Sequence, residues 1–321
     1  MATAQAEAIA TALDKAAAEM AAEAAAGQAT PFALSDHGQP PTTMLVPLST
    51  SGDRWSGDLT ALGGKGAFVK EIDRALLDGE ADIAVHNLKD IPGDIPIPDG
   101  LEIAAYPARE GVQDAVVAPD GVELEHGLDS LPIDAVVGTS SVRRQAQIRR
   151  RWPHLDVRPI RGNANTRLAK LDAGQFNALV LADIGLRRIG LAERISMTLP
   201  VAQMLPAVGA GQLAVVARSD RADILALCAR LNERFSEATA RTERAMLFDL
   251  GGHCNSPIAA YCRSSGERIS LRAAVYALDG TSIVEHEESG PLNEPDAVGA
   301  AVAARLLNDG ARELIEAAGE H

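Results

Sequence analysis

Between residues 139 and 170, nine of the ten charged side chains are positive, although the 321-residue chain has a formal net charge of −14. They are Arg143, Arg144, Arg149, Arg150, Arg151, Arg158, Arg161, Arg167 and Lys170, opposed by Asp156 alone. A guanidinium fork holds a carboxylate or phosphate through two parallel hydrogen bonds, so an acidic protein that gathers its arginines in one segment is equipped to bind an anion there. A solvated helix face is the plainer alternative. Nucleic acid is the other, and composition disfavours it: the chain is 3% aromatic with a pI of about 5.0, and the segment offers only Trp152 for stacking.

Two further stretches could do chemistry. Gly251-Gly252-His253-Cys254-Asn255-Ser256-Pro257 sets a thiol on a loop between a predicted helix and a predicted strand. The thiol is either presented for reaction or packed as a small hydrophobe, as unpaired cysteines commonly are. His86-Asn87-Leu88-Lys89-Asp90 follows a buried strand and precedes a Pro/Gly loop, where open α/β sheets place ligand-binding groups. A carboxylate at Asp90 can accept hydrogen bonds from a substrate N–H and stabilise developing positive charge; a solvated Lys89–Asp90 pair is the alternative. Gly63-Gly64-Lys65-Gly66 is not a phosphate loop, because the spacing is wrong and no Ser or Thr follows the lysine. No ligand-like spacing joins Cys228 or Cys262 to Cys254, so no metal site is expected.

These groups need a scaffold, and the first half of the chain alternates helix and strand patterns, which predicts a mostly parallel sheet covered by helices. A helix over 70–77 feeds a strand at 81–85, and 93–100 is a loop. Strands at 135–137, 156–160 and 178–182 enclose two helices, the first capped by Ser140 or Ser141, the second by Asn163 or Asn165 and ended by Gly174. Hinges are expected near 109–114 and 205–216. After about residue 234 the pattern changes to a helix, three strands at 256–263, 268–278 and 282–288, and a helix from Pro295, which is an α+β module. The alanine-rich start reads as a surface helix, since Glu7, Asp14, Lys15, Glu19 and Glu23 interrupt it. No apolar run approaches the roughly 20 residues that span a bilayer. Three cysteines argue against a disulfide framework and for the cytoplasm.

The stretches occur in an order that resembles the porphobilinogen deaminase (hydroxymethylbilane synthase) family. The resemblance rests on Gly63-Gly64-Lys65-Gly66-Ala67-Phe68-Val69-Lys70-Glu71, Ala81-Asp82-Ile83-Ala84-Val85-His86, Lys89-Asp90, Val137-Gly138-Thr139-Ser140-Ser141-Val142-Arg143-Arg144-Gln145, Arg161-Gly162-Asn163, Thr166-Arg167-Leu168 and the Cys254 loop. It implies an α/β protein with two type II periplasmic-binding-protein-like lobes and a small α+β C-terminal domain. Lobe 1 would comprise 1–108 and 208–230, lobe 2 112–206, and the last domain 234–321. It also implies an enzyme that joins four porphobilinogen molecules head to tail with loss of ammonia, water then releasing hydroxymethylbilane.

By the same resemblance, a dipyrromethane cofactor is attached to Cys254 through a thioether. Lys89, Ser140, Ser141, Arg143, Arg144 and Arg161 would bind it. Asp90 is the implied catalytic group, hydrogen-bonding pyrrole N–H and stabilising the azafulvene cation left by ammonia. Arg167, Asn87 and Lys65 would contact substrate, the last from a covering loop. A monomer with a small-molecule substrate is implied, with no nucleic acid, membrane or obligate protein partner. Three departures stand out: the first strand of lobe 1, with its cofactor-contacting arginine and serine, is expected to be missing; Asn87 replaces a common serine; and Gly209-Ala210-Gly211-Gln212 replaces the usual Gly-Gln-Gly order. Residues 35–43 read as a lengthened loop. A non-catalytic two-lobed protein closing on a dicarboxylate, or an inactive truncated deaminase, is the alternative.

Overall fold

The computed structural model describes residues 2–26, 40–48, 50, 69–253 and 255–319. Lys65 and Cys254 therefore lie outside the described residues, as does most of the expected 35–43 loop. The strands are β1 (Ile83–Asn87), β2 (Leu101–Ala105), β3 (Asp114–Val117), β4 (Val136–Gly138), β5 (Asp156–Arg158), β6 (Ala178–Ala182), β7 (Met197–Thr198), β8 (Leu213–Arg218), β9 (Ile258–Ser265), β10 (Arg268–Tyr276) and β11 (Ile283–Pro291). The helices are α1 (Ala2–Ala25), α2 (Lys70–Leu77), α3 (Val142–Arg151), α4 (Ala164–Asp172), α5 (Asp183–Arg188), α6 (Ala222–Ala229), α7 (Arg234–Leu250), α8 (Pro295–Asn308) and α9 (Ala311–Gly319). The chain divides into two compact units, Met1–Arg109 with Gln212–Ala240, and Glu110–Gly211 with Arg241–His321.

In the first unit β8 is the centre of a three-stranded antiparallel sheet, flanked by β1 and β2. The stretch 205–216, expected as a hinge, thus ends in a strand, because Leu213, Ala214, Val215 and Val216 are all buried between two apolar layers. One layer is α1 and α6. Ile9, Leu13, Ala16, Ala17 and Met20 recur at helical spacing and pack with Val215, Leu227 and Cys228. The surface helix expected of the alanine-rich start is therefore amphipathic and core-forming; burying Leu13 and Met20 alone contributes about 1.5–3 kcal/mol each. The opposite layer joins Leu76, Ala84, Leu88, Ile91 and Val216, so β1 is clamped on both faces just before the Lys89–Asp90 turn.

In the second unit the five strands run in the order β5-β4-β6-β3-β7; β4 is parallel to β5 and β6, and β3 is antiparallel to β6 and β7. Two cores, one around Ile148, Trp152 and Val180 and the other around Ile160, Leu171 and Leu181, cover its faces. The same unit holds the three-stranded antiparallel meander β11-β10-β9 with α8 and α9, the expected α+β module. A cluster of Ala146, Leu205, Ala259, Ala274 and Tyr276 fixes this meander to α3. Glycine is required where α7 and α8 meet: a Cβ at Gly299 would stand 2.4 Å from the Thr242 carbonyl oxygen. The overall class is α/β with a small α+β C-terminal part, as expected, but the sheets are not mostly parallel: among the described residues the parallel pairs are β4 with β5 and β4 with β6.

Candidate active site

The 139–170 run separates by location into three groups. Ser141 caps α3, accepting from the Arg144 N–H at 3.5 Å, while the Ser140 hydroxyl donates to the Ile160 carbonyl. The first turn of α3 then carries Arg143 and Arg144 inward onto one carboxylate. Arg143 Nη2 donates to Asp114 Oδ2 at 2.8 Å and Arg144 Nη2 to Asp114 Oδ1 at 2.7 Å. Arg143 also donates to the Leu205 carbonyl at 2.6 Å. Burial alone would push the Asp114 carboxyl up, but the charges of Arg143 and Arg144 outweigh it and bring it down to about 2.

Arg143, expected by resemblance to bind the cofactor, has its guanidinium turned inward. It is 4% exposed and engaged with Asp114 and Leu205, so it anchors the array from below. Gln147, one turn on, completes the anchor: its side chain donates to the Leu205 carbonyl at 2.9 Å and accepts the Leu205 N–H at 2.7 Å. Gln147 was missed among the sequence roles, as was the Asp114 partner. The available signal was Asp114 itself, a carboxylate heading the apolar residues 115–117, where an unpaired charge is not tolerated.

A second group is structural. Arg149 donates to the Leu278 carbonyl at 2.7 Å and Arg150 to those of Gly280 and Thr281 at 3.4 Å, so the end of α3 fastens the turn between β10 and β11. Arg158 pairs with the opposing Asp156.

The third group is poised for an anion. Asn163 caps α4 through Thr166, and in the next turn Arg167 Nε donates to the Gly162 carbonyl at 2.8 Å. Lys170 reaches the Arg161 carbonyl at 3.0 Å, and Arg161 is exposed. Burial lowers the Arg167 guanidinium, and the like charges of Arg144 and Arg161 lower it further. Arg167 faces no carboxylate among the described residues. Two guanidiniums share the one Asp114 carboxylate, and Arg167 feels the like charges of Arg144 and Arg161, so the three form a positive patch of the kind that suits an anion.

The first unit presents a different group. Lys89 and Asp90 are exposed on the single turn Leu88–Asp90 that follows β1, held from beneath by Leu88, 2% exposed. Asn87 Nδ2 donates to Asp90 Oδ2 at 3.1 Å, while Asn87 Oδ1 accepts from Gln5 Nε2 on α1 at 2.7 Å. The asparagine therefore orients the carboxylate, and both ends of its amide are used. In the altered 209–212 stretch, Gln212 donates to the Pro107 carbonyl at 2.7 Å. Gly211 has φ +71, and a Cβ there would lie 2.6 Å from the Glu110 carbonyl oxygen.

Of the three cysteines, Cys228 and Cys262 are buried. Burial pushes the Cys228 thiol up to about 12, which leaves it unreactive at neutral pH. Among the described residues on either side of Cys254, the Ser256 N–H donates to the His253 carbonyl at 2.9 Å, and a Cβ on Gly252 would meet Ile258 at 2.3 Å. Among the described residues no helix is long and apolar enough to cross a membrane.

The fold is α/β, with an oriented, exposed carboxylate in the first unit and, in the second, a guanidinium patch of the kind that suits an anion. The family model described as "Porphobilinogen deaminase, dipyromethane cofactor binding domain" matches residues 1–226, and "Porphobilinogen deaminase, C-terminal domain" matches 238–308. The chain is 50% identical over 278 residues to porphobilinogen deaminase 2 of Streptomyces coelicolor, covering 85% of this chain and 87% of that one. It is 46% identical over 277 residues to the porphobilinogen deaminase of Chromobacterium violaceum, covering 86% and 88%. Among solved structures it is similar to the Bordetella pertussis BvgS periplasmic VFT2 domain, with 17% identity, TM-score 0.31, and coverage of 51% of this chain and 66% of that one. The chain belongs to the porphobilinogen deaminase family.

Proposed function

We propose that this chain is a hydroxymethylbilane synthase of tetrapyrrole biosynthesis, joining four porphobilinogen molecules head to tail with release of ammonia. What supports the reading is the positive patch of Arg144, Arg161 and Arg167, in a chain whose relatives are porphobilinogen deaminases. Each pyrrole bears acetate and propionate groups, so a growing chain accumulates carboxylates that fixed guanidiniums neutralise without reorganising.

The donor set also fits a dipyrromethane, which has the same acidic side chains. Arg144, Arg161, Ser140, Ser141 and Lys89 would hold it, with Arg143 as their anchor and Cys254 as the attachment thiol. When bound, that group supplies a tethered pyrrole whose unsubstituted α-carbon is the nucleophile. Asp90, aimed by Asn87, accepts the substrate pyrrole N–H and stabilises the cation formed as ammonia departs. Arg167 binds substrate carboxylates, and Lys65 contacts substrate. The work is divided among three parts: 1–108 with 208–230 carries the aspartate, 112–206 the arginines, and 234–321 the cysteine. The enzyme acts in the cytoplasm on a small molecule alone.

The test is the intact mass of protein purified from cells that make porphobilinogen. A dipyrromethane adduct is expected, and Cys254→Ser removes it. Fully folded, unmodified protein from such cells overturns the reading in favour of a non-catalytic carboxylate-binding protein.

A further inference from the structure

We infer that Gln5, on α1, is a positioning residue for the reaction: its amide fixes which way the Asn87 amide faces, and through Asn87 the aim of the Asp90 carboxylate. The inference rests on the reading of Asp90 given above and deepens it. All three residues belong to the first unit.

The first observation is where Gln5 stands. The buried stripe of α1 runs through Ile9, Leu13, Ala16, Ala17 and Met20. Residues four apart share a helix face, so position 5 continues that stripe and an apolar side chain would suit it. A glutamine occupies it instead, 6% exposed. Burying an amide is unfavourable unless it is hydrogen-bonded, so the position gives up apolar burial for a polar contact. That contact is Asn87 at the end of β1, 82 residues away in sequence, where Gln5 Nε2 donates to Asn87 Oδ1 at 2.7 Å.

The second observation is the direction of the chain of hydrogen bonds. A carboxylate accepts and cannot donate, so the asparagine must turn its nitrogen to Asp90, and Nδ2 donates to Oδ2 at 3.1 Å. Its oxygen is thereby directed at α1, where only a donor satisfies it. Gln5 supplies that donor. The polarity of both amides follows from the carboxylate at the far end.

The consequence is mechanical. Asp90 is exposed on its turn, whereas Leu13 and Met20 of α1 are 2% exposed in the core. The order of the packed helix reaches the exposed carboxylate through two amides. Without the Gln5 donor, the Asn87 amide is free to rotate or to bond water, and Asp90 loses its alignment. Because Gln5 acts through Asn87, its removal cannot lower kcat by more than removal of Asn87 does.

The test uses the full-length, cofactor-loaded protein. Gln5→Leu restores the apolar stripe, so its urea midpoint should equal or exceed that of the wild type, while kcat falls about two- to fivefold at unchanged KM. Gln5→Glu keeps the size but presents an acceptor where a donor is needed, and should lose at least as much. Adding Gln5→Leu to Asn87→Ala should lower kcat no further. A second readout needs no turnover: ¹⁵N relaxation of the Asn87 side-chain amide, identified by the loss of its signal in Asn87→Ala, should show a rigid group in the wild type and a mobile one in Gln5→Leu. An unchanged kcat in Gln5→Leu, a loss confined to KM, a loss that follows a lowered urea midpoint, a further loss in the double variant, or an amide as rigid as in the wild type overturns the inference. Wild-type protein that does not consume porphobilinogen overturns the deaminase reading instead, and the relaxation measurement still decides whether Gln5 orders Asn87.

Discussion

Asp114→Asn should destabilise the second unit by about 3 kcal/mol. Asp114 and Arg143 side chains are 3% and 5% exposed, and that of Arg144 is 12% exposed, so the group is an ion triad out of water. Removing one partner of a buried pair costs about 3–5 kcal/mol, because the remaining charge is left unmatched; the amide keeps the shape and one acceptor, which places this variant at the low end. The depressed carboxyl gives an independent figure. A fall from 3.8 to about 2 corresponds to roughly 2.5 kcal/mol of preference for the ionised form.

Urea unfolding followed by tryptophan emission measures it, in a Trp55→Phe background so that the signal comes from Trp152, 2% exposed in the core of that unit. The pH dependence has a definite sign. The folded carboxyl binds its proton less readily than the unfolded one, so its contribution is complete above about pH 4 and is lost as pH falls towards 2. The gap between wild type and variant should narrow across that window. A difference below about 1 kcal/mol at pH 7, or a gap that widens towards pH 2, refutes the reasoning.

Other outcomes follow from the same geometry. Asp90→Asn should lower kcat by about 100-fold or more and leave the urea midpoint unchanged, because the side chain is exposed; near-normal turnover removes its catalytic role. Asn87→Ala deletes the amide that aims Asp90 and should reduce kcat by about two- to tenfold at unchanged KM, and steady-state kinetics showing the loss in KM alone would contradict that. Arg167→Gln should raise KM for porphobilinogen by about tenfold or more, an effect that shrinks with added salt; a KM within twofold of wild type counts against it. Gly299→Ala forces a Cβ to within 2.4 Å of the Thr242 carbonyl and should cost about 1–3 kcal/mol, which an unshifted unfolding midpoint would disprove.

Much of the scaffold could be read from local pattern. The strand at 178–182 coincides with β6, and Ser141 and Asn163 cap the helices they were expected to cap. Caps and apolar runs are short-range properties, which is why one sequence exposes them. Longer-range assignments were less legible. The buried stripe of α1 was hidden because alanine supplies much of it and reads the same on a surface as in a core. The 205–216 stretch does carry the crossing, since the chain passes from the second unit to the first between Gly211 and Gln212, but its glycines and proline hid the central strand that starts at Leu213, whose burial depends on layers supplied from elsewhere in the chain.

The same division holds for the candidate site. From the sequence alone came the concentration of guanidinium, the thiol on a glycine loop and the carboxylate after a buried strand, because residue type and charge density need no coordinates. Only the tertiary structure decided what each arginine does. Asp114 lies 29 residues before Arg143, and nothing in the intervening sequence announces that β3 and α3 bring them to 2.8 Å. That pairing turns Arg143 into a buried anchor, the β10–β11 turn claims Arg149 and Arg150, and Arg144, Arg161 and Arg167 are left as the patch. A run of like charges cannot sort itself, because the sorting depends on where partners from distant segments fall and on which side chains burial strips of water.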